Sequence, residues 1–123
     1  MKQHVDIAII GAGVIGSAIA RTLSRTSADI LVIEKEADAA FGISSRNSGV
    51  IHSGIHYAPG SNRAVYAVRG NEMMEPLCRE LQVPFMPTGK LTVAFTPEQI
   101  NKLHALHDQG SVNGVPGMRI LNR

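Results

Sequence analysis

The stretch VDIAIIGAGVIGSAIARTLSRTSADILVIE, residues 5–34, decides the fold. Residues 5–10 are apolar and β-branched, which is typical of a strand buried in a parallel sheet. Apolar residues then recur at helical spacing over residues 14–24, and a second apolar run over residues 30–33 ends at an acid, Glu34. Two parallel strands joined by a helix of this length form a right-handed βαβ unit, so the sequence predicts an α/β fold of the Rossmann type.

The turn between the first strand and the helix carries the pattern G-x-G-x-x-G. The first glycine permits a tight turn, the second lets a pyrophosphate approach the backbone, and the third brings helix and strand together. The N–H groups of the first helical turn, at the positive end of the helix dipole, can hold phosphate charge. We therefore predict that a nucleotide binds along Gly11, Ala12, Gly13, Val14, Ile15 and Gly16.

An acidic residue stands where such a site needs one. Glu34 follows Gly16 by 18 residues, at the end of the second predicted strand. Its carboxylate can accept hydrogen bonds from both hydroxyls of an unphosphorylated ribose and would repel a 2′-phosphate, which disfavours NADP. FAD and NAD both contain an ADP half, so this pattern alone leaves both cofactors open.

The rest of the chain predicts a long loop and two further helices. Residues 35–62 are rich in Gly, Ser and Asn and are expected to form a loop with one short element. Ser61 can cap a helix that begins at Asn62, and Pro76 predicts a kink or break near residues 72–75. Residues 90–95 alternate as in a half-buried strand.

A capping box marks the start of the last predicted helix. Thr96 is the expected cap, Pro97 the first helical residue, and Gln99 the residue that reaches back, while Gly110 is expected to end the helix. We divide the chain into a nucleotide-binding segment over residues 1–82 and the start of a second, mixed-sheet substrate domain over residues 83–123. The chain stops directly after an apolar segment, so we expect it to be truncated within this domain.

Composition excludes several classes of function. The chain has 123 residues, of which 44% are hydrophobic and 18% charged, values typical of a folded domain. A net charge of +2 and an aromatic content of 4% argue against a nucleic-acid partner. The apolar run over residues 7–20 is shorter than the roughly 20 residues that cross a bilayer, so no integral membrane segment is expected. Cys78 is the only cysteine, which fits a reducing cytoplasmic location.

The segment FGISSRNSGVIHSG, residues 41–54, resembles flavoenzymes of the D-amino-acid oxidase and glycerol-3-phosphate dehydrogenase superfamily. Residues 47–57 with residues 59–61 are similar to L-2-hydroxyglutarate oxidases. Residues 77–81, 83–85, 89–95 and 113–117 resemble bacterial proteins of the glycerol-3-phosphate dehydrogenase type. The resemblance implies FAD as the cofactor, and it implies that this chain is the N-terminal third or so of a longer enzyme.

The resemblance also implies roles for individual residues. The glycine turn and Glu34 would hold the ADP moiety of FAD, and Lys35 would lie near the adenosine. Ser44 and Ser45 would form hydrogen bonds with the pyrophosphate region. Members that attach flavin covalently carry a histidine near the position of Asn47, so this chain is expected to bind FAD non-covalently. The residues expected to pass close to the isoalloxazine are Gly49, Val50, Ile51 and His52.

His52 is the candidate catalytic residue, because an imidazole beside a flavin can take a hydroxyl proton during hydride transfer. The alternative is that His52 only forms a hydrogen bond with flavin or backbone, and the sequence leaves both roles open. His52 and His56 are four residues apart, but no third ligand is evident, so no metal site is expected.

We therefore expect an FAD-dependent oxidoreductase that oxidises the CH–OH group of a small anionic hydroxy substrate. Glycerol 3-phosphate and L-2-hydroxyglutarate are the two candidates, and the electron acceptor (a quinone, oxygen or a redox partner) stays open. The expected location is the cytoplasm or, peripherally, the membrane surface. A different class stays open as well: a non-catalytic FAD- or NAD-binding fragment, since the 123-residue chain alone is expected to be inactive.

Overall fold

The computed structural model describes residues 4–121. The chain divides into two compact units, Met1–Val50 and Ile51–Arg123. The predicted domain boundary between residues 82 and 83 concerns the domains of a longer protein and stays a prediction. The elements, in chain order, are strand β1 (Ile7–Ile10), helix α1 (Val14–Leu23), strand β2 (Ile30–Ile33), a 3₁₀ turn (Ile43–Ser45), helix α2 (Asn62–Glu80) and helix α3 (Pro97–Val112).

The first unit contains the predicted strand–helix–strand motif. β1 and β2 pair in parallel, from Ile7 opposite Ile30 to Ile10 opposite Ile33, and α1 contacts both strands. β1 begins two residues later than predicted. The N–H groups of Asp6 and Ile7 both donate to the carbonyl of Asp29, at 3.0 and 3.1 Å. These bonds join the start of β1 to the residue before β2. The parallel α/β arrangement is confirmed.

The second unit begins its first helix where the sequence predicts it. The Ser61 hydroxyl accepts the N–H of Ala64 at 3.2 Å and so caps α2. The helix continues as one element through Pro76 to Glu80, so the predicted break is absent. Proline removes one hydrogen bond from the helix, and the helical bonds on both sides of Pro76 are enough to hold α2 together.

Helix α3 has the predicted start but a different end. The Thr96 hydroxyl accepts the N–H of Gln99 at 3.3 Å, and the Gln99 side chain accepts the N–H of Thr96 at 3.2 Å, which confirms the capping box. The predicted end at Gly110 is wrong, because Gly110 is buried within the helix and a Cβ there would lie 2.6 Å from Met118 Sδ. The left-handed glycine after the helix is Gly114, with φ of +78°.

The strand predicted over residues 90–95 is not present. This part of the chain has no regular secondary structure, and Leu91, Val93 and Phe95 are 75%, 60% and 80% exposed. Alternating residues form a strand only where a neighbouring strand supplies backbone hydrogen bonds. Residues 4–121 supply no such neighbour, so this expected part of a mixed sheet is not formed.

The capping box gives a stability prediction. Thr96→Ala removes the side-chain acceptor for the N–H of Gln99 and should lower the free energy of unfolding by about 1 kcal/mol. Chemical denaturation of the chain measures the change. Thr92→Ala is the matched control, because Thr92 is exposed and lies outside any helix. An equal loss in both variants would contradict a specific capping role.

Candidate functional site

The glycine turn adopts a shape that other residues cannot take. Gly11 has φ of +99°, in the left-handed region that favours glycine, and its N–H donates to the carbonyl of Ile33 at 2.7 Å. A Cβ added at Gly16 would collide with the carbonyl oxygen of Gly11 and would lie 3.4 Å from Ile9 Cγ2. Helix α1 therefore starts in close contact with the turn and with β1.

Backbone N–H groups are available at the start of α1. The Ser17 N–H makes the first bond, to the carbonyl of Gly13 at 2.9 Å, and the Ser44 hydroxyl accepts the Val14 N–H at 2.9 Å. Within residues 4–121, the N–H groups of Ile15 and Gly16 have no hydrogen-bond acceptor. The first turn also contains no acidic residue. An anion can bind such a helix end through its free donors and the helix dipole.

The carboxylate of Glu34 is fixed at the edge of the same turn. Its Oε2 accepts the N–H of Ala12 at 2.7 Å, while Oε1 accepts the N–H groups of Lys35 and Glu36 at 2.8 and 3.1 Å. The bond from Ala12 is the largest cause that holds the pKa of Glu34 below its ordinary value. A carboxylate has about four lone-pair positions, so Oε2 retains one for a ligand hydroxyl.

The 3₁₀ turn brings one of the two predicted serines to this site. Ser44 reaches the helix N-terminus, and a Cβ at Gly13 would lie 3.1 Å from its hydroxyl oxygen, so a side chain at position 13 would require Ser44 to shift. Ser45 instead donates to the carbonyl of Gly42 at 3.2 Å, within its own turn. Val14 and Ser44 are 30 residues apart in sequence, and the hydrogen bond between them closes one side of the site.

The profile described as "DAO: FAD dependent oxidoreductase" matches residues 6–123. The chain belongs to this family. The predicted membership of an FAD-dependent oxidoreductase family and the FAD-binding fold are thereby confirmed, and FAD is confirmed as the cofactor of the DAO family.

The relatives carry two different names. A glycerol 3-phosphate dehydrogenase of Caloramator mitchellensis is 44% identical over 96% of this chain, and an L-2-hydroxyglutarate dehydrogenase of Arabidopsis thaliana is 42% identical over 98% of it. Each match covers 25% of the relative's length, so the chain spans about a quarter of these proteins. A solved L-α-glycerophosphate oxidase of Mycoplasma pneumoniae with FAD bound has a TM-score of 0.73 and 32% identity, over 91% of this chain and 29% of that one.

Asn47 and Lys35 of this DAO-family chain, two further residues predicted to lie at the cofactor, interact with residues close to them in sequence. The Asn47 amide donates to the carbonyl of Ser44 at 2.8 Å, and its oxygen accepts the N–H of Gly49 at 2.9 Å. Gly49 has φ of +67°, so Asn47 stabilises a turn that needs glycine. The Lys35 ammonium lies 3.4 Å from the carboxylate of Glu36 and is largely exposed. The predicted contacts of these residues with FAD stay predictions.

The second unit of the DAO-family chain carries Ile51 and His52. The exposed His52 ring stacks on Tyr57, with centroids 6.5 Å apart and an angle of 24° between the planes, and its carbonyl accepts the Asn71 amide at 3.3 Å. Val50, the last residue of the first unit, is exposed. The predicted proximity of Val50, Ile51 and His52 to a flavin stays a prediction.

Several polar residues of this unit carry no sequence signal. Gln109 and Asn113 donate to backbone carbonyls of residues 54–57, and Lys90 contacts His56. Single amide side chains follow no period that would mark them in the sequence. Across residues 4–121, no cluster of three His, Cys, Asp or Glu side chains could hold a metal ion. No helix of that range has the length and apolar character needed to cross a membrane.

The pKa of Glu34 gives a pH prediction. A lowered pKa means that the folded state favours the charged carboxylate, so the stabilisation is full above the ordinary Glu pKa of about 4.3 and is lost as the pH falls through the lowered value. The unfolding temperatures of wild type and Glu34→Gln should differ most above the ordinary Glu pKa and converge as the pH falls below the lowered one. Glu36→Gln is the control. A Glu34→Gln difference that is independent of pH would contradict the prediction.

Proposed function

We propose that this chain binds the ADP half of FAD, non-covalently, as the nucleotide-binding part of an FAD-dependent oxidoreductase. The observation that carries the proposal is the Ala12 N–H to Glu34 bond of 2.7 Å, which places a carboxylate beside the helix N-terminus. The two ends of an ADP group require two kinds of protein group. The ribose hydroxyls need hydrogen-bond acceptors, and the phosphates need N–H donors.

The residues of the site fit this group. The free N–H groups of Ile15 and Gly16 can donate to phosphate oxygens, and Ser44 stands 2.9 Å from the Val14 nitrogen, where its hydroxyl can also bond a phosphate. Glu34 can accept a ribose hydroxyl on Oε2. A second hydroxyl would replace one of the backbone donors on Oε1, since Lys35 and Glu36 occupy that oxygen. The charge of Glu34 disfavours a 2′-phosphate and therefore NADP.

Non-covalent binding is supported by Asn47. The residue is an amide, which is not a nucleophile, and both ends of its side chain are engaged by the backbone of residues 43–49. The covalent alternative would require a nucleophilic side chain such as histidine at this place. We therefore propose that acid denaturation of the loaded protein releases all of its flavin into solution.

The proposed reaction is oxidation of the CH–OH group of a small anionic hydroxy substrate. FAD, when bound, supplies the hydride acceptor. Glycerol 3-phosphate is the first candidate substrate and L-2-hydroxyglutarate the second, and relatives bearing both names support this choice. His52 is the proposed acceptor of the hydroxyl proton, with its ring placed by the stack on Tyr57. The acceptor of the electrons is a quinone, oxygen or a redox partner.

The proposed location is the cytoplasm or the membrane surface. A single cysteine, Cys78, fits a reducing compartment, because a chain built for an oxidising one commonly uses paired cysteines. A membrane-bound quinone as electron acceptor would require contact of the whole protein with the membrane. Fractionation of cells that express the protein, with a salt wash of the membranes, measures this location.

A charge-reversal variant tests FAD binding. Glu34→Arg replaces the hydroxyl acceptor by a cation that also cannot accept the Ala12 N–H, so the dissociation constant for FAD should rise at least about tenfold. Quenching of flavin fluorescence measures it. Glu36→Arg is the matched control, since it makes the same charge change two residues away on an exposed carboxylate.

The outcomes separate the candidate functions. Tight binding of FAD with weak binding of NAD supports the flavoprotein, and the reverse order supports a plain NAD module. Equal effects of Glu34→Arg and Glu36→Arg would remove Glu34 from the site. FAD binding without substrate oxidation in the whole protein would favour a non-catalytic nucleotide-binding function.

A second variant tests the role of His52. His52→Ala in the whole enzyme should retain FAD and lower the rate of substrate oxidation by about 10²–10⁴-fold, because general bases contribute factors of this size. Stopped-flow reduction of the flavin by substrate, measured across pH, reports the chemical step. Tyr57→Phe is the control, because it keeps the ring that stacks on His52. An unchanged rate would leave His52 as a packing residue, and loss of FAD would make it a cofactor ligand.

A further inference from the structure

Two basic side chains that lie far apart in sequence meet in the second unit. The Lys90 ammonium nitrogen is 2.8 Å from Nε2 of His56, and both residues are exposed. An ammonium group can only donate, so Nε2 of His56 is the acceptor in this contact. The ammonium uses one of its N–H groups in this bond, which leaves two for another partner.

The backbone that carries His56 is held by α3 and by its C-cap residue, Asn113. The Asn113 amide donates to the carbonyls of Gly54 and Tyr57 at 3.0 and 2.8 Å, and the Gln109 amide donates to the carbonyl of Ile55 at 2.7 Å. All three bonds are partly buried. The residues on both sides of His56 are therefore fixed by side chains from another element.

Helix α2 holds the same segment from another direction. Gly54 is buried with φ of +90°, and a Cβ there would lie 2.8 Å from Val68 Cγ2. Val68 and Ala64 are themselves buried. The segment of residues 54–57 is thus packed on two helices while the ring of His56 stays open to solvent. Binding side chains are commonly placed on backbone that is fixed in this way.

The charge of Lys90 is not neutralised by its surroundings. Within residues 4–121, the ion pairs of lysine involve Lys35 and Lys102, and no carboxylate pairs with Lys90. Its only polar partner among these residues is another basic group. An exposed ammonium with two free N–H groups suits an oxyanion, which accepts hydrogen bonds and neutralises the charge.

We propose that Lys90 and His56 form a subsite for the phosphate or carboxylate group of a small hydroxy substrate. The inference rests on the proposed oxidoreductase function and adds to it the residues that bind the anionic end. Lys90 donates to the oxyanion, and His56 orients the ammonium through its Nε2. The substrate class is an anion of few atoms, since the subsite presents one ammonium rather than an extended basic surface.

Histidine-selective NMR of the chain at low ionic strength tests the subsite, because salt screens exposed charges. The probes are glycerol 3-phosphate, L-2-hydroxyglutarate and inorganic phosphate, with glycerol as the uncharged control, each with and without FAD. His56→Gln assigns the ring signal. We expect that signal to shift saturably with the anions and to stay unchanged with glycerol. Lys90→Gln should raise the dissociation constant about tenfold.

Lys102→Gln is the matched control, because Lys102 is an exposed lysine of α3 that pairs with Glu98 at 2.6 Å. It should leave anion binding unchanged. No saturable shift with or without FAD, or an equal loss in Lys90→Gln and Lys102→Gln, would overturn the subsite.

Flavin fluorescence, measured on the same samples, tests FAD binding separately from anion binding. FAD binding without anion binding rejects the subsite alone. Anion binding without FAD binding contradicts the flavoprotein proposal and, with it, the assignment of the anion to a substrate of that enzyme, while it supports Lys90 and His56 as an anion site.

Discussion

The hydrogen bond from the Ala12 N–H to Glu34, at 2.7 Å, is the constraint on which the first unit depends. It joins the turn after β1 to the residue that follows β2, beside the 2.7 Å bond from Gly11 to Ile33. Because β1 and β2 are parallel, their carboxyl ends lie at one edge of the pair, where ligands of open α/β sheets bind. The carboxylate and the start of α1 therefore meet at one place.

Steric limits then leave this arrangement few alternatives. Gly16 has no room for a side chain against Gly11, and Gly13 has little room against Ser44. The first limit sets how closely α1 approaches the strands, and the second keeps open the space in front of the helix N-terminus. The same glycines that make the turn possible thus keep N–H donors accessible, so the fold and the binding chemistry have one cause.

The features that the sequence predicts well are those fixed by neighbouring residues. The Ser61 cap and the Thr96 capping box each depend on a few consecutive side chains. The parallel strands depend on one strand–helix–strand pattern, which contains both pairing partners within residues 5–34. The predicted strand over residues 90–95 fails because it needs a partner from elsewhere in the chain. The predicted helix end at Gly110 fails for a related reason: the glycine is needed for close packing with Met118 and Ile55, which no local pattern reveals.

Asn113 shows how far the second unit is adapted to hold one segment. Its amide must point toward the carbonyls of Gly54 and Tyr57, and this leaves its own Oδ1 buried with no hydrogen-bond partner within residues 4–121. A buried acceptor without a partner is destabilising. An aspartate at this position could not donate to the two carbonyls, and an alanine would leave both without this donor. The unfavourable oxygen is therefore a consequence of fixing the backbone on both sides of His56, which gives that segment a defined shape in a unit with few buried apolar side chains.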